Sequence, residues 1–245
     1  MMEAIILAGG LGTRLASVLG SKYPKPLAPI NDKPFLYYLV SNLKNQGVDR
    51  LVLACGYLSE MIEYEVCEGE TSRLGIETCI VKEDPHTLLG TAGAVRNAIK
   101  SVASPDVFLC NGDTYSDIDL KSMLEYHQEK AADITIALTG ASESDRYGSI
   151  VLGANGRVKD FVSNQNSGPA LINSGTYIIR RTLISEVIEE GKAMSLEHEF
   201  LPHIIGNGVA EVYGFVWKGY FRDIGVPVDY KAFVNDVAEN KISFQ

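Results

Sequence analysis

Residues 3–15 read EAIILAGGLGTRL, an apolar run followed at once by glycines and an arginine. The apolar run predicts a fully buried strand, because it is short and ends in a glycine turn. Gly9, Gly10 and Gly12 let the backbone turn sharply, and their N–H groups can point at an anion. Arg14 adds a cation that binds phosphate through two hydrogen bonds. The stretch favours a phosphate-binding turn; the alternative is a tight strand-to-helix turn with a solvated arginine.

Two common phosphate-binding motifs do not fit this turn. A P-loop needs Gly-Lys-Ser or Gly-Lys-Thr after the glycines, and the sequence has neither there. The dinucleotide-binding motif needs a third glycine at the position that Leu15 occupies. A dehydrogenase that uses a dinucleotide is therefore the least favoured enzyme class.

The chain alternates predicted strands and helices from this turn to about residue 130. The strands are predicted at 3–8, 50–55, 76–82 and 106–110, and the helices at 34–46, 58–67, 92–100 and 120–130. Asp119 is placed to cap the last of these helices. Short apolar strands that alternate with helices of about ten residues indicate βαβ units. We therefore expect an α/β, Rossmann-like fold with a mixed, mostly parallel sheet flanked by helices.

The pattern changes near residue 134. Strands are predicted at 134–139, 148–152, 157–162, 170–179 and 209–217, and helices at 182–190, 196–205 and 228–240. Asn155 and Gly156, between two of these strands, form a hairpin signal. No linker or repeat separates the halves. We expect one domain over 1–245, with a first part to about 133, a smaller mixed-sheet part over about 134–227 and a C-terminal helix at 228–240.

The composition excludes several classes of protein. The 245 residues include 22 Lys and Arg and 31 Asp and Glu, which gives a formal net charge of −9. With no basic stripe to neutralise a phosphate backbone, nucleic acid is not an expected partner. No run approaches the roughly 18 apolar residues of a membrane span, and the N-terminus lacks the basic region of a signal peptide. We expect a cytoplasmic protein that does not bind membranes.

The cysteines and histidines do not indicate a metal site. Cys55, Cys79 and Cys110 lie in apolar, strand-like runs, and no two cysteines have CxxC spacing, so buried free thiols are expected. His198 and His203 are too far apart for the HExxH zinc motif. We expect none of the histidines to be a ligand.

Three further segments carry groups suited to an anionic ligand. Lys25 lies in Pro-Lys-Pro-Leu at 24–27, where the prolines stiffen the chain and can aim its ammonium group. Gly-Thr-Ala-Gly at 90–93 begins a helix whose N–H groups suit a ligand oxygen. Asn-Gly-Asp at 111–113 follows a predicted strand, and the carboxylate of Asp113 suits Mg²⁺.

The glycine turn, the start of the helix at 90–93 and Asp113 each follow a predicted parallel strand. The carboxyl ends of such strands form one rim of the sheet, so these segments should converge on one pocket. A nucleotide and a metal ion are its simplest occupants. Each feature alone has a structural alternative, namely a solvated lysine, tight helix packing or a turn-capping aspartate.

These motifs, in this order, resemble those of the sugar-1-phosphate nucleotidyltransferases. The matching segments are LAGGLGTRL at 7–15, PKPL at 24–27, GTAG at 90–93, NGD at 111–113, RYG at 146–148, INSGTY at 172–177 and DIGVP at 223–227. Within the family, the compact length and GYFRDIGVPVDY at 219–230 are most similar to the D-glycero-α-D-manno-heptose 1-phosphate guanylyltransferases. Mannose-1-phosphate guanylyltransferases, muramic-acid-1-phosphate uridylyltransferases and glucose-1-phosphate thymidylyltransferases are the alternatives.

The resemblance implies substrates, a cofactor and the roles of individual residues. The partners are a nucleoside triphosphate, with GTP favoured, and a sugar 1-phosphate; a homodimer is left open. The residues implied for catalysis are Arg14, Lys25 and Asp113. Those implied for the nucleotide are Leu7, Ala8, Gly9, Gly10, Gly12, Thr13, Glu83, Gly90, Thr91 and Asn111, with Glu83 facing the base. Those implied for the sugar phosphate are Gly148, Asn173 and Glu197, mostly in the part over 134–227, and Asp113 and Asp223 would hold Mg²⁺.

The sequence departs from the family pattern after the strand that Phe161 ends. Family members often have Glu-Lys-Pro there, and the lysine binds the sugar phosphate. This chain has Val-Ser-Asn-Gln at 162–165 instead. Lys159, Lys192 and Arg180 are the candidates for a replacement cation. The segment 84–89 is also slightly longer than usual, which weakens the assignment of Glu83 to the base.

The expected reaction is in-line attack by a sugar-1-phosphate oxygen on the α-phosphorus of the nucleotide. A phosphate with a second pKa of about 6 is largely ionised at neutral pH and needs no general base. Positioning and cations then lower the barrier between the anions. One rival is a glycosyltransferase that uses Asp117 and Asp119 as a DxD metal pair. Another is a nucleotide-sensing module without catalytic activity.

Overall fold

The structure is a computed structural model that describes residues 1–10, 12, 14–20, 23–84, 87–141, 149–162 and 170–242. Its strands are β1 Glu3–Ala8, β2 Pro29–Ile30, β3 Lys33–Pro34, β4 Arg50–Cys55, β5 Glu77–Lys82, β6 Asp106–Asn111, β7 Thr114–Ser116, β8 Ile134–Ala141, β9 Ser149–Leu152, β10 Val158–Val162, β11 Ala170–Arg180, β12 Val212–Val216 and β13 Phe221–Asp223. Its α-helices are α1 Ala16–Leu19, α2 Phe35–Asn45, α3 Ser59–Cys67, α4 Gly90–Ala98, α5 Leu120–Glu129, α6 Arg181–Val187, α7 Leu201–Gly206 and α8 Pro227–Ala238.

A seven-stranded sheet forms the centre, in the order β12-β8-β11-β6-β1-β4-β5. Of the six pairings that the described residues form in this sheet, four are parallel: β1 with β4, β1 with β6, β4 with β5, and β12 with β8. β11 runs antiparallel to both of its neighbours, β6 and β8. The expected mixed, mostly parallel sheet is confirmed.

Side chains alternate between the two faces of the sheet, and helices cover both. In β1, Ile6 packs with Phe35 of α2 and Phe233 of α8 in one buried cluster, whereas its neighbour Ile5 packs with Val95 of α4 in the other. A strand whose residues are buried on both faces reads as a continuous apolar run, which is why β1 shows no polar alternation.

Several local predictions from sequence are confirmed. β9 and β10 form an antiparallel hairpin, and Gly156 in its turn has a φ of 85°. Asp119 caps α5 by accepting a hydrogen bond from the backbone N–H of Ser122. Cys55 and Cys110 are buried free thiols as expected, whereas Cys79, also expected to be buried, is only half-buried and Cys67 is exposed.

Some short elements were not predicted. β13 pairs with β7, with Asp223 opposite Thr114, and so joins a late segment to the end of β6. The helix predicted at 196–205 is present, but its first part, Leu196–Phe200, is a π-helical turn that runs into α7. None of the helices in the described part of the chain is long and apolar enough to span a bilayer.

Candidate active site

A cavity of about 300 Å³ lies at the carboxyl ends of β1 and β6. These two strands are parallel neighbours, with Leu7 opposite Asn111, so their ends reach the same rim. Eleven residues predicted from sequence line the cavity: Leu7, Ala8, Gly9, Gly10, Lys25, Glu83, Gly90, Thr91, Asn111, Asp113 and Glu197. Pro26, Leu88, Ala94 and Gly112 line it as well and were not predicted. The cavity thus brings together the three strand-end segments and Lys25.

Gly112 allows the two strand ends to touch. Its N–H donates a hydrogen bond of 2.9 Å to the carbonyl oxygen of Leu7. A Cβ atom at this position would lie 2.5 Å from that oxygen, closer than van der Waals contact permits. The close approach places Asn111 and Asp113 against the glycine turn.

Lys25 is held at the cavity by a short 3-10 turn over Lys25–Leu27. Pro24 precedes this turn and Pro26 lies within it, so little backbone freedom remains. The Nζ atom of Lys25 lies 2.8 Å from Oδ2 of Asp113, and the two side chains are only 15% and 25% exposed. The lysine is therefore already oriented beside an acidic group.

Asp223 reaches the same region through β13. The backbone N–H of Ile224 donates a hydrogen bond of 2.9 Å to the carbonyl oxygen of Asp113, which fixes the two segments together. Burial raises the pKa of Asp223, and the negative charge of Asp113 raises it further. The N–H of Gly225, the ammonium of Lys25 and the guanidinium of Arg14 act in the opposite direction.

The two carboxylates fit a magnesium ion. The described residues contain no group of three or more His, Cys, Asp or Glu side chains placed to hold a metal. Mg²⁺ in proteins is typically bound by one or two carboxylates, with substrate phosphates and water completing its shell. Asp113 and Asp223, whose charges repel each other, are a donor set of that kind.

Glu83 lies at the cavity wall after β5. Its Oε2 atom accepts a hydrogen bond of 3.4 Å from the backbone N–H of Leu89, immediately before α4. Burial raises the pKa of this carboxyl, and the Leu89 N–H partly offsets the effect. The carboxylate of Glu83 thus lies beside the residue that precedes α4, and Gly90, the first residue of that helix, lines the same cavity.

Glu197 lies at the cavity wall and accepts hydrogen bonds from two hydroxyl groups. The hydroxyl of Thr91 bonds its Oε2 atom at 3.1 Å, and the hydroxyl of Tyr177 bonds its Oε1 atom at 3.2 Å. The side-chain amide of Asn173 bonds the same tyrosine hydroxyl at 2.6 Å. Asn173 and Glu197, predicted to bind the sugar, are therefore connected through Tyr177.

Other predicted residues lie beyond the cavity lining. Gly12, Arg14, Asn173 and Asp223 are described but do not line it. A Cβ atom on Gly12 would lie 3.1 Å from the side chain of Lys25, so this glycine is nevertheless adjacent. Thr13 and Gly148 lie outside the described residues.

The three candidate replacement cations have different surroundings. The Nε atom of Arg180 lies 2.7 Å from Asp133 and its Nη1 atom lies 3.2 Å from Glu186, so acidic side chains already hold it. Lys159 and Lys192 are exposed. Neither lysine lines the cavity.

The aspartates of the DxD alternative have structural roles. Asp119 caps α5. The Oδ1 atom of Asp117 accepts a hydrogen bond of 2.9 Å from the backbone N–H of Tyr220, and neither aspartate lines the cavity. This arrangement does not favour a metal pair at these positions.

Tyr177 is the functional candidate that the sequence analysis missed. It is fully buried and does not line the cavity, yet its hydroxyl joins Asn173 to Glu197. The sequence signal was its place in INSGTY at 172–177, but nothing in that motif showed which way the side chain points.

Comparisons with known proteins match most of the chain. A family model described as nucleotidyl transferase matches residues 3–240. The chain is 39% identical over 230 residues to D-glycero-α-D-manno-heptose 1-phosphate guanylyltransferase of Aneurinibacillus thermoaerophilus, covering 94% of this chain and 96% of the relative. It is 38% identical over 233 residues to the enzyme of the same name from Campylobacter jejuni, covering 95% and 99%. The crystal structure of HddC from Yersinia pseudotuberculosis complexed with GMP-PN superposes with a TM-score of 0.85 at 35% identity, covering 97% of this chain and 100% of that one.

Proposed function

This chain belongs to the nucleotidyl transferase family, and on that basis we propose that it joins a sugar 1-phosphate to a nucleoside triphosphate, releasing pyrophosphate. The observation that carries the proposal is the lining of a single cavity. Lys25 and Asp113, suited to phosphates and a metal ion, share it with Glu197, a carboxylate suited to sugar hydroxyls.

We assign GTP and D-glycero-α-D-manno-heptose 1-phosphate as the substrates. The names of two relatives at 39% and 38% identity support this pair. Glu83 adds a physical reason, because guanine presents two neighbouring N–H donors on one edge and a carboxylate accepts both. A mannose 1-phosphate is the nearest competitor, since it shares the manno configuration.

In the reaction, an oxygen of the sugar phosphate attacks the α-phosphorus of the nucleotide. The bond from the α-phosphorus to the oxygen that bridges it to the β-phosphorus breaks, and pyrophosphate leaves with that electron pair. Lys25 and Arg14 would offset the charge of the phosphates, and the glycine turn would bind them through backbone N–H groups. Bound Mg²⁺ would supply further positive charge at the phosphates, held by Asp113 and Asp223.

The proposal divides the chain by role. The part to about residue 133 would bind the nucleotide, and the part over about 134–227 would bind the sugar phosphate. In the second part, Glu197 would accept hydrogen bonds from the sugar hydroxyls, and the amide of Asn173 would also form hydrogen bonds with them. Strands of both parts belong to the same seven-stranded sheet, which would hold the two substrates in a fixed relation.

The test is a matrix of nucleoside triphosphates against sugar 1-phosphates, read by pyrophosphate release. We expect the highest kcat/KM with GTP and the manno-configured heptose phosphate. Pyrophosphate release only with TTP or UTP would overturn the guanylyl assignment. Nucleotide binding without turnover for any pair would favour the sensing module, and use of a nucleotide-sugar donor without pyrophosphate would favour a glycosyltransferase.

A further inference from the structure

Two hydroxyl groups hold the carboxylate of Glu197, one on each oxygen. The hydroxyl of Tyr177 lies 3.2 Å from Oε1, and that of Thr91 lies 3.1 Å from Oε2. Glu197 and Thr91 line the cavity, whereas Tyr177 is fully buried behind it. The carboxylate is thus supported from within the protein and presents itself to the cavity.

The direction of each hydrogen bond on the tyrosine side follows from its neighbours. The Oδ1 atom of Asn173 accepts the N–H of Gly175 at 2.9 Å, so its amide NH₂ faces Tyr177 and donates to the hydroxyl at 2.6 Å. A hydroxyl has one proton to donate. Because Tyr177 already accepts from Asn173, its own proton is free to point to Glu197.

The same reasoning applies to Thr91. The backbone N–H of Leu196 donates to its Oγ1 atom at 2.7 Å, which leaves the threonine proton for Glu197. Each oxygen of Glu197 therefore accepts one hydrogen bond from the protein and can accept a further one from a ligand. An acceptor fixed in this way suits a ligand that offers hydroxyl donors.

We propose that Tyr177 is a positioning residue for the sugar, which orients Glu197 and Asn173 together so that they recognise sugar hydroxyls. The inference rests on the proposed function and extends it to a residue that touches no substrate. Without the hydroxyl, Asn173 loses its acceptor, and Glu197 loses the bond that fixes one oxygen. The recognition of the sugar would weaken, while the phosphates and the base would keep their partners.

The main test is Tyr177→Phe, which removes one oxygen and keeps the buried ring. We expect the KM for the sugar 1-phosphate to rise at least tenfold, with the KM for GTP and kcat changed less than threefold. Tyr38→Phe is the matched control, since Tyr38 is also buried and its hydroxyl donates to a backbone carbonyl, that of Ile30, at 3.2 Å. We expect this control to leave both KM values within twofold.

A series of mono-deoxy sugar 1-phosphates separates positioning from general loosening of the fold. For the analogue that lacks the hydroxyl bound by Glu197, the wild type and Tyr177→Phe should have the same KM. A tenfold difference that persists with every analogue would contradict the proposal. Equal increases in the KM for GTP and for the sugar would contradict it as well.

Thr91 provides an independent arm if Tyr177→Phe does not fold. Thr91→Val removes the second donor and should raise the KM for the sugar at least tenfold, whereas Thr91→Ser keeps the hydroxyl and should raise that KM by a much smaller factor. An unchanged KM for the sugar in Thr91→Val would overturn the idea that the two hydroxyls act through Glu197. Absence of turnover in the wild type would instead refute the proposed function itself.

Discussion

The ammonium of Lys25 lies 2.8 Å from a carboxylate oxygen of Asp113, although 88 positions separate the two residues in the chain. The two side chains are mostly shielded from water, at 15% and 25% exposed. Removing two charges from water costs free energy that offsets much of their attraction, so a pair of this kind is weak evidence for stability. The arrangement is therefore better explained by a charge held ready for a phosphate than by a need for stability.

Removing this ammonium should affect turnover far more than folding. We expect Lys25→Ala to lower kcat/KM for pyrophosphate release by about 100-fold or more, because a cation that stabilises developing charge contributes several kcal/mol. Its melting temperature should stay within a few degrees of wild type. Lys33→Ala is the control, since Lys33 lies over the ring of Tyr37 at 3.7 Å and outside the cavity. Near-normal turnover by a folded Lys25→Ala protein would remove Lys25 from the mechanism.

Asp113 and Asp223 should both be required for the protein to bind a metal ion. We expect EDTA to abolish turnover and Mg²⁺ to restore it. Mg²⁺ with a non-hydrolysable GTP analogue should raise the melting temperature of the wild type but not of Asp113→Asn or Asp223→Asn, because each variant loses one of the two carboxylates. Asp32→Asn, exposed and outside this site, should respond like wild type. An equal rise in melting temperature in all four proteins would exclude this pair as the metal site.

Gly175 has a left-handed backbone conformation and lies against Asn111, which lines the cavity. Its φ of 72° suits glycine, and a Cβ atom would lie 2.7 Å from the amide nitrogen of Asn111. We expect Gly175→Ala to cost about 1–2 kcal/mol from the left-handed backbone alone and to lower turnover at least tenfold by displacing Asn111. Gly208→Ala is the control, because Gly208 has a φ of 62° with open space around it. Thermal unfolding and pyrophosphate release of both variants check this; equal turnover in the two would contradict it.

Glu3 should stabilise the fold in a pH-dependent manner. Burial raises its pKa, but hydrogen bonds from the Ser104 backbone, Arg50 and Ala103 outweigh this and bring the pKa below its ordinary 4.5. An acid whose pKa is lower in the folded state adds stability that is fully present above pH 4.5 and is lost as pH falls through the folded value. We expect Glu3→Gln to lower the free energy of unfolding by about 2–3 kcal/mol at pH 7, and by less at pH 3.5.

Urea unfolding at the two pH values measures this effect. Glu77→Gln is the matched control, since Glu77 pairs with the same arginine at 2.7 Å but its side chain is 69% exposed. That variant should lose less than about 1 kcal/mol. A Glu3→Gln variant as stable as Glu77→Gln at pH 7 would show that the buried contacts of Glu3 contribute nothing.

Local residue patterns were enough to predict the short-range elements and the rim of the sheet where the ligand-binding groups lie. The uninterrupted apolar run of β1, the Asn155-Gly156 turn and the Asp119 cap each depend on neighbouring residues, so composition and spacing are sufficient to predict them. Parallel strands end at a common rim, and the segments after β1 and β6 meet there as that rule requires. The family motifs added expected roles for the residues along that rim.

Contacts between residues that are distant in the chain could not be predicted in this way. Asp223 comes to Asp113 because β13 pairs with β7, and strands of three residues are too short to show any periodicity in sequence. Tyr177 lies behind the cavity and bonds Glu197, and the strand that carries it, β11, shifts register between Asn173 and Tyr177. No residue pattern predicts this shift. Asp117 has the spacing of a metal ligand but bonds the backbone of Tyr220 instead. In each case the deciding contact joins residues far apart in the chain, and its energy depends on packing and geometry that local sequence does not contain.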